Sequence, residues 1–130
     1  MPNQPRKILL AEDDRFLRRA ADATLRHHGF TVLLAVDGEE ALKIAQAEVP
    51  DLILLDLIMP KLQGFEVLRQ LKGSPLTAAI PVIVLSNLGQ EKDSKMAFEM
   101  GALDYWVKAN VSLEELAKRV EAVFAAGGVA

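Results

Sequence analysis

Residues 8–14 read Ile8-Leu9-Leu10-Ala11-Glu12-Asp13-Asp14, four apolar residues that end abruptly in three acids. Residues 52–56 repeat the arrangement as Leu52-Ile53-Leu54-Leu55-Asp56. A short apolar run without alternation suits a strand covered on both faces, as the strands of a parallel sheet are. Each acid then stands where a buried strand stops, and in open parallel α/β sheets ligands bind at that edge. Two neighbouring strands that deliver carboxylates to one crevice repel each other, and at least one acid is driven towards protonation unless a cation relieves the conflict. Hard oxygen ligands in small number suit Mg2+, which keeps several waters and shares phosphate oxygens with the protein. The two runs together predict a magnesium-assisted phosphate site on a small α/β domain.

Working outward, the same alternation of short apolar runs and longer amphipathic segments fills the chain. Strands are predicted at Lys7–Ala11, Thr31–Ala35, Leu52–Leu55, Pro81–Leu85 and Ala102–Val107. Between them, Phe16, Leu17, Ala20, Ala21, Ala23 and Leu25 form an apolar helical face that ends before Gly29. Further helices are predicted at Gly38–Ala47, at Phe65–Lys72 and at Glu91–Met100, the last with Met96, Ala97 and Met100 on its apolar side. The final helix opens on Ser112-Leu113-Glu114-Glu115, a capping box in which two free backbone donors are satisfied reciprocally. Five β-then-α units imply a parallel sheet with helices on both faces, because right-handed crossovers are nearly obligatory. Asp14 and Asp37 read as helix caps, and His27-His28 as a solvated last turn favoured by the helix dipole.

Composition narrows the function. A chain of 130 residues is most simply one domain, 1–130, with short flexible ends at 1–5 and 126–130. A net charge of −3 argues against a nucleic-acid surface, which needs a basic patch. With no cysteine there is neither a disulfide nor a thiolate metal site, which fits the cytoplasm. No apolar stretch approaches the length of a membrane span.

Further strand ends bring more chemistry to the same edge. Val82-Ile83-Val84-Leu85 delivers Ser86-Asn87, and Tyr105-Trp106-Val107 delivers Lys108. Carboxylates, a hydroxyl and an ammonium suit an acyl phosphate forming on a carboxylate, with Mg2+ and lysine neutralising the charge. Here the chain resembles the receiver domains of two-component response regulators, the CheY-like family. The resemblance rests on Ile8-Leu9-Leu10-Ala11-Glu12-Asp13-Asp14, on Asp51-Leu52-Ile53-Leu54-Leu55-Asp56-Leu57-Ile58-Met59-Pro60, on Pro81-Val82-Ile83-Val84-Leu85-Ser86, and on Gly101-Ala102-Leu103-Asp104-Tyr105-Trp106-Val107-Lys108.

It implies a flavodoxin-like, doubly wound (βα)5 fold with strand order 2-1-3-4-5. It implies that Asp56 accepts a phosphoryl group, and that Glu12, Asp13, Asp56 and the backbone carbonyl of Ile58 surround Mg2+. Ser86 stands at the family's hydroxyl switch, Tyr105 at its aromatic switch and Lys108 at its lysine. The implied partners are a histidine kinase or phosphotransfer protein and a downstream protein target, with a weak or phosphorylation-dependent dimer as a further option. The resembling domain is a regulatory phosphoacceptor, acting catalytically only on its own phosphoryl group, either alone or as a piece of a larger response regulator or hybrid kinase.

Two residues depart from the family pattern. Asn87 stands where a small side chain is usual, and Ala109 replaces the proline that follows the lysine in a cis peptide. A cis bond before a non-proline residue costs about 3–4 kcal/mol, so the geometry of Lys108–Ala109 stays open. The apolar Ile58 and Leu88, placed by the resemblance beside the approach path of water, predict slow hydrolysis of the acyl phosphate.

Competing readings lack their residues. A phosphatase of the aspartate-nucleophile class needs a second acid two residues after the nucleophile, where this chain has Ile58. A flavodoxin-like cofactor site would have its phosphate repelled by Glu12-Asp13-Asp14, and no dinucleotide or Walker pattern occurs.

Overall fold

The computed structural model describes residues 5–87 and 91–126. The order of elements is β1 (Lys7–Ala11), α1 (Arg15–His27), β2 (Thr31–Ala35), α2 (Gly38–Glu48), β3 (Leu52–Leu55), α3 (Gly64–Gly73), β4 (Val82–Ser86), α4 (Glu91–Glu99), β5 (Asp104–Val107), a 3-10 turn at Lys108–Asn110, and α5 (Leu113–Ala125). All five strands are parallel, in the order β2-β1-β3-β4-β5. This is the doubly wound parallel α/β architecture that the apolar runs implied, in the strand order that the resemblance implied.

The strands with unbroken apolar sequence occupy the centre. Every residue of β3 and β4 is buried, and so are Ile8 to Ala11 of β1. Alternate side chains feed two cores. Leu9, Ile53, Leu55, Val82 and Val84 meet Ala41, Ala45, Val67, Leu68, Leu71 and Ala97 from α2, α3 and α4. On the other face Ile8, Leu10, Leu52, Leu54, Ile83 and Leu85 meet Ala21, Leu25, Leu116, Ala117 and Val120 from α1 and α5. Burying a Leu or Ile side chain is worth about 1.5–3 kcal/mol, so these two layers hold the sheet rigid beneath its ligand-binding edge.

The caps follow the sequence reading. Asp14 accepts a hydrogen bond from the Leu17 amide at 3.0 Å, Asp37 from the Glu40 amide at 2.9 Å, and Ser112 and Glu115 complete their capping box. Some boundaries move. Ala102 is not in a strand, because its amide closes the end of α4 on the Ala97 carbonyl at 2.9 Å. Pro81 has no amide to give the ladder and β4 starts one residue later, running on to include Ser86.

Two apolar faces are narrower than predicted. The buried seam of α1 is Ala21 and Leu25, leaving Phe16 85% exposed at the helix start. Only Ala97 of α4 is fully buried, and Met96 is turned out to solvent. No helix among the described residues is long and apolar enough to cross a membrane. The predicted ends at 1–5 and 126–130 lie outside the described residues except for Pro5 and Ala126, as does Leu88.

Candidate functional site

Register puts the functional side chains at one level. Ala11 pairs with Leu55 and Ser86 with Val107, and the Asp56 amide extends the β1–β3 ladder to the Ala11 carbonyl at 3.1 Å. Glu12, Asp56, Ser86 and Lys108 therefore leave four adjacent strands side by side. They line or adjoin a cleft of about 290 Å3 bounded by Asp13, Asp14, Leu17, Asp56, Ile58, Asn87 and Lys108.

Lys108 is the hub. Its Nζ lies 2.5 Å from Glu12 Oε1 and 2.9 Å from Asp56 Oδ2. The second oxygen of each acid has its own donor: Asp56 Oδ1 accepts from the Ile58 amide at 3.2 Å, and Glu12 Oε2 from the Asp14 amide at 3.0 Å. Glu12 and Asp56 are buried while Asp13 is exposed, yet carboxylate oxygens of all three lie within 4.8 Å of one another.

The electrostatics follow from this crowding. Burial raises the Glu12 carboxyl above the usual carboxylate range, against the lowering effect of its hydrogen bonds with Lys108 and Asp14, and the nearby Asp56 charge adds to the rise. For Lys108, burial acts to lower the ammonium, but its hydrogen bonds to Glu12 and Asp56 outweigh it and the net shift is upward. One ammonium, paired with Glu12 and Asp56, serves a cluster of three acids. The site thus carries excess negative charge and convergent oxygens, which is what a small divalent cation would satisfy.

Ser86 is wholly buried, and the Tyr105 phenol hydrogen-bonds it. Burial raises the Tyr105 phenol, the bond to Ser86 acts against that, and Asp93 and Asp56 add to it. The structure brings six of the residues singled out in the sequence into one constellation: Glu12, Asp13, Asp56, Ser86, Tyr105 and Lys108. Ile58 joins through its amide, with its side chain 59% exposed at the cleft rim. Asn87 lines the same cleft.

The loop after Asp56 is shaped by contacts the sequence reading missed. Gly38 sits so close to it that a Cβ would fall 2.1 Å from the Leu62 carbonyl oxygen, and the Gly38 amide reaches the Pro60 carbonyl at 3.4 Å. Gly64 is equally confined, its Cβ position lying 2.4 Å from the Leu57 Cα. Lys61, at a φ of 69°, pairs with Asp37 at 3.5 Å. The Lys108–Ala109 bond is not cis, since no cis peptide occurs among the described residues. The chain instead enters a 3-10 turn there, with the Val111 amide on the Lys108 carbonyl at 3.2 Å.

Residues 8–121 match the family model of the response regulator receiver domain. The chain belongs to that family. Among relatives of this receiver domain, Protein PilH of Pseudomonas aeruginosa is 39% identical over 119 residues, covering 92% of this chain and 98% of PilH. The alkaline phosphatase synthesis transcriptional regulatory protein PhoP of Bacillus subtilis is 40% identical over 118 residues, covering 91% of this chain but 48% of PhoP. The Mn2+-bound form of response regulator Rcp1 superposes with a TM-score of 0.78 at 33% identity, over 92% of this chain and 91% of that one. The receiver domain spans about half the length of the transcriptional regulators it matches, and 15% of the gliding motility regulatory protein of Myxococcus xanthus.

Proposed function

We propose that this receiver domain is a phosphorylation-driven switch in which Asp56 accepts a phosphoryl group from a histidine kinase or phosphotransfer protein. The observation that carries the reading is the Asp56 carboxylate, held at 2.9 Å by Lys108 beside two further acids at the open edge of the sheet. An oxygen of Asp56 attacks phosphorus, the bond from phosphorus to the donor's imidazole nitrogen breaks, and the imidazole leaves with that electron pair. Lys108 neutralises charge on the phosphoryl oxygens, and the Ser86 hydroxyl donates to one of them. Glu12, Asp13, Asp56 and the Ile58 carbonyl would hold Mg2+, whose charge stabilises the oxygens in transfer. The Mn2+ named for Rcp1 supports a divalent ion in this family's site.

Chemistry at the site reaches a partner surface through Ser86 and Tyr105. A phosphoryl group adds charge and acceptor oxygens, and a hydrogen bond to Ser86 alters the Ser86–Tyr105 pair, which links β4 to β5, the strand that α4 packs against. That bias falls on the face of α4, β5 and α5; Met96 and Phe98 of α4 and Leu103 before β5 are exposed apolar residues of these elements and their junction. We assign the downstream protein target, and any phosphorylation-dependent dimer, to that face. The domain acts in the cytoplasm, and its catalysis is limited to gain and loss of its own phosphoryl group.

The near-complete match to PilH favours a domain that signals by itself, whereas the half-length match to the transcriptional regulators favours a receiver within a longer response regulator or hybrid kinase. Beryllofluoride with Mg2+, which mimics the acyl phosphate, tests the switch under either reading. Amide chemical shifts along Glu91–Glu99 and Tyr105–Leu116 change if the account holds. Changes confined to the surroundings of Asp56 contradict it.

A further inference from the structure

The start of α1 holds Arg15 and Arg18 and no acid, although the positive end of a helix dipole disfavours cations there. Arg18 has a different partner. Side chains on a helix lean towards its N-terminus, so a residue one turn in can fold back over the preceding loop. Its Nη1 donates to the Glu12 carbonyl at 3.0 Å and to the Asp13 carbonyl at 3.2 Å. The donors of the same loop are engaged elsewhere, the Glu12 amide on the Ala35 carbonyl at 3.0 Å and the Asp14 amide on the Glu12 carboxylate at 3.0 Å. Arg18 completes this set by fixing the loop's acceptors.

It does so without occupying a carboxylate. Among the described residues Arg18 forms no ion pair, and neither does Asp13. We infer that Arg18 is a positioning residue for the cation site: through the two carbonyls it fixes the loop that aims Glu12 and Asp13, and it leaves the Asp13 carboxylate to the ion. The inference rests on the reading of Glu12, Asp13 and Asp56 as the holders of a divalent cation.

Geometry and charge make opposite demands here, which gives the test its sign. A guanidinium beside an acidic cluster weakens cation binding by repulsion, so if Arg18 acted only through its charge, removing it would tighten the ion. If it positions the loop, removing it loosens the ion. Mg2+ is titrated into the wild type, Arg18→Met, Arg18→Lys and Asp13→Asn, and affinity is read from the amide shifts of residues 13 and 58, with thermal denaturation to check folding. Asp13→Asn should lose binding. Arg18→Met should weaken it roughly tenfold, the low end for groups that orient metal ligands, and Arg18→Lys, with its charge kept on a shorter arm, should fall between.

Equal or tighter binding by Arg18→Met, beside a deficient Asp13→Asn, overturns the positioning role alone. Undiminished binding by Asp13→Asn overturns the metal reading and the inference with it. Where Arg18→Met does not fold, Arg18→Lys decides, and wild-type affinity in that variant overturns the inference.

Discussion

Among the described residues a basic side chain twice lies between two carboxylates, and burial separates the outcomes. Lys108 lies between Glu12 and Asp56 with side-chain exposures of 11%, 2% and 7%. His28, the C-cap of α1, lies between Glu114 and Glu121 of α5, Nε2 facing the first at 3.1 Å and Nδ1 the second at 3.3 Å. Those two acids are 63% and 48% exposed. In the first trio, desolvation sets the terms: the acids cannot be left without a cation, and burial raises Glu12 even with Lys108 present. In the second, water already stabilises the acids, so the ion pairs add little. What the second trio has instead is a proton requirement. A neutral imidazole has one donor and one acceptor, and both ring nitrogens face carboxylates, so the clasp is complete only as the imidazolium. Hydrogen bonds to Glu114 and then Glu121 accordingly raise the His28 pKa above its ordinary 6.5.

The largest expected effect is at the buried trio. Lys108→Met should destabilise the fold by about 3 kcal/mol near neutral pH, as removing one partner of a buried ion pair does. Urea unfolding measures it. Because the Glu12 pKa is raised, ionised Glu12 costs stability: its favourable contribution is complete below the ordinary value of 4.5 and is lost as pH rises through the folded-state value. The deficit of Lys108→Met should therefore shrink as pH falls, and shrink again on adding Mg2+. A deficit that ignores both would show that desolvation of the acids does not govern this site.

Salt gives a smaller, sharper contrast. About 1 M salt reduces the Debye length to roughly 3 Å, which should remove the contribution of His28 and leave most of that of Lys108. Equal sensitivity of His28→Gln and Lys108→Met unfolding to salt would break the distinction between the two trios.

The smallest effect is the pH dependence of the His28 clasp. With a raised histidine pKa, stabilisation is fully present below 6.5 and is lost as pH rises through the folded-state value. The difference in thermal midpoint between wild type and His28→Gln should thus be greatest below pH 6.5 and vanish once pH has risen through the folded-state value. Proton titration by NMR should put His28 above its ordinary 6.5, and Glu114→Gln should bring it down. A His28 that titrates at its ordinary 6.5 would show that the clasp is not held in solution.

How much of this was legible in the sequence depended on whether a signal was local. Leu52-Ile53-Leu54-Leu55 announced a central strand because burial on both faces erases alternation, and Ser112 with Glu115 announced a helix start because a capping box is completed within four residues. The acid, hydroxyl and lysine positions followed, since a parallel sheet brings strand ends together whatever the intervening chain. The clasp escaped because it joins residues 86 and 93 positions apart, and a histidine at a helix end reads as solvated until the neighbouring helix is placed. Phe16 and Met96 were assigned to packing because they are apolar at helical spacing, but Phe16 stands on the far side of α1 from its buried Ala21 and Leu25, and Met96 lies beside a seam one residue wide, Ala97. Arg18 left one local sign, a cation at the wrong end of a helix dipole. The close approach of Gly38 to Leu62 left none, because it depends on how two loops from different strands meet.

The account turns on Asp56. Incubating the protein with acetyl phosphate and Mg2+, followed by intact-mass measurement and peptide mapping, tests it most directly. The account predicts the gain of one phosphoryl group, located on the peptide that carries Asp56, dependent on Mg2+ and abolished in Asp56→Asn. Undiminished labelling of Asp56→Asn, or labelling that persists after the divalent ion is chelated, would contradict it.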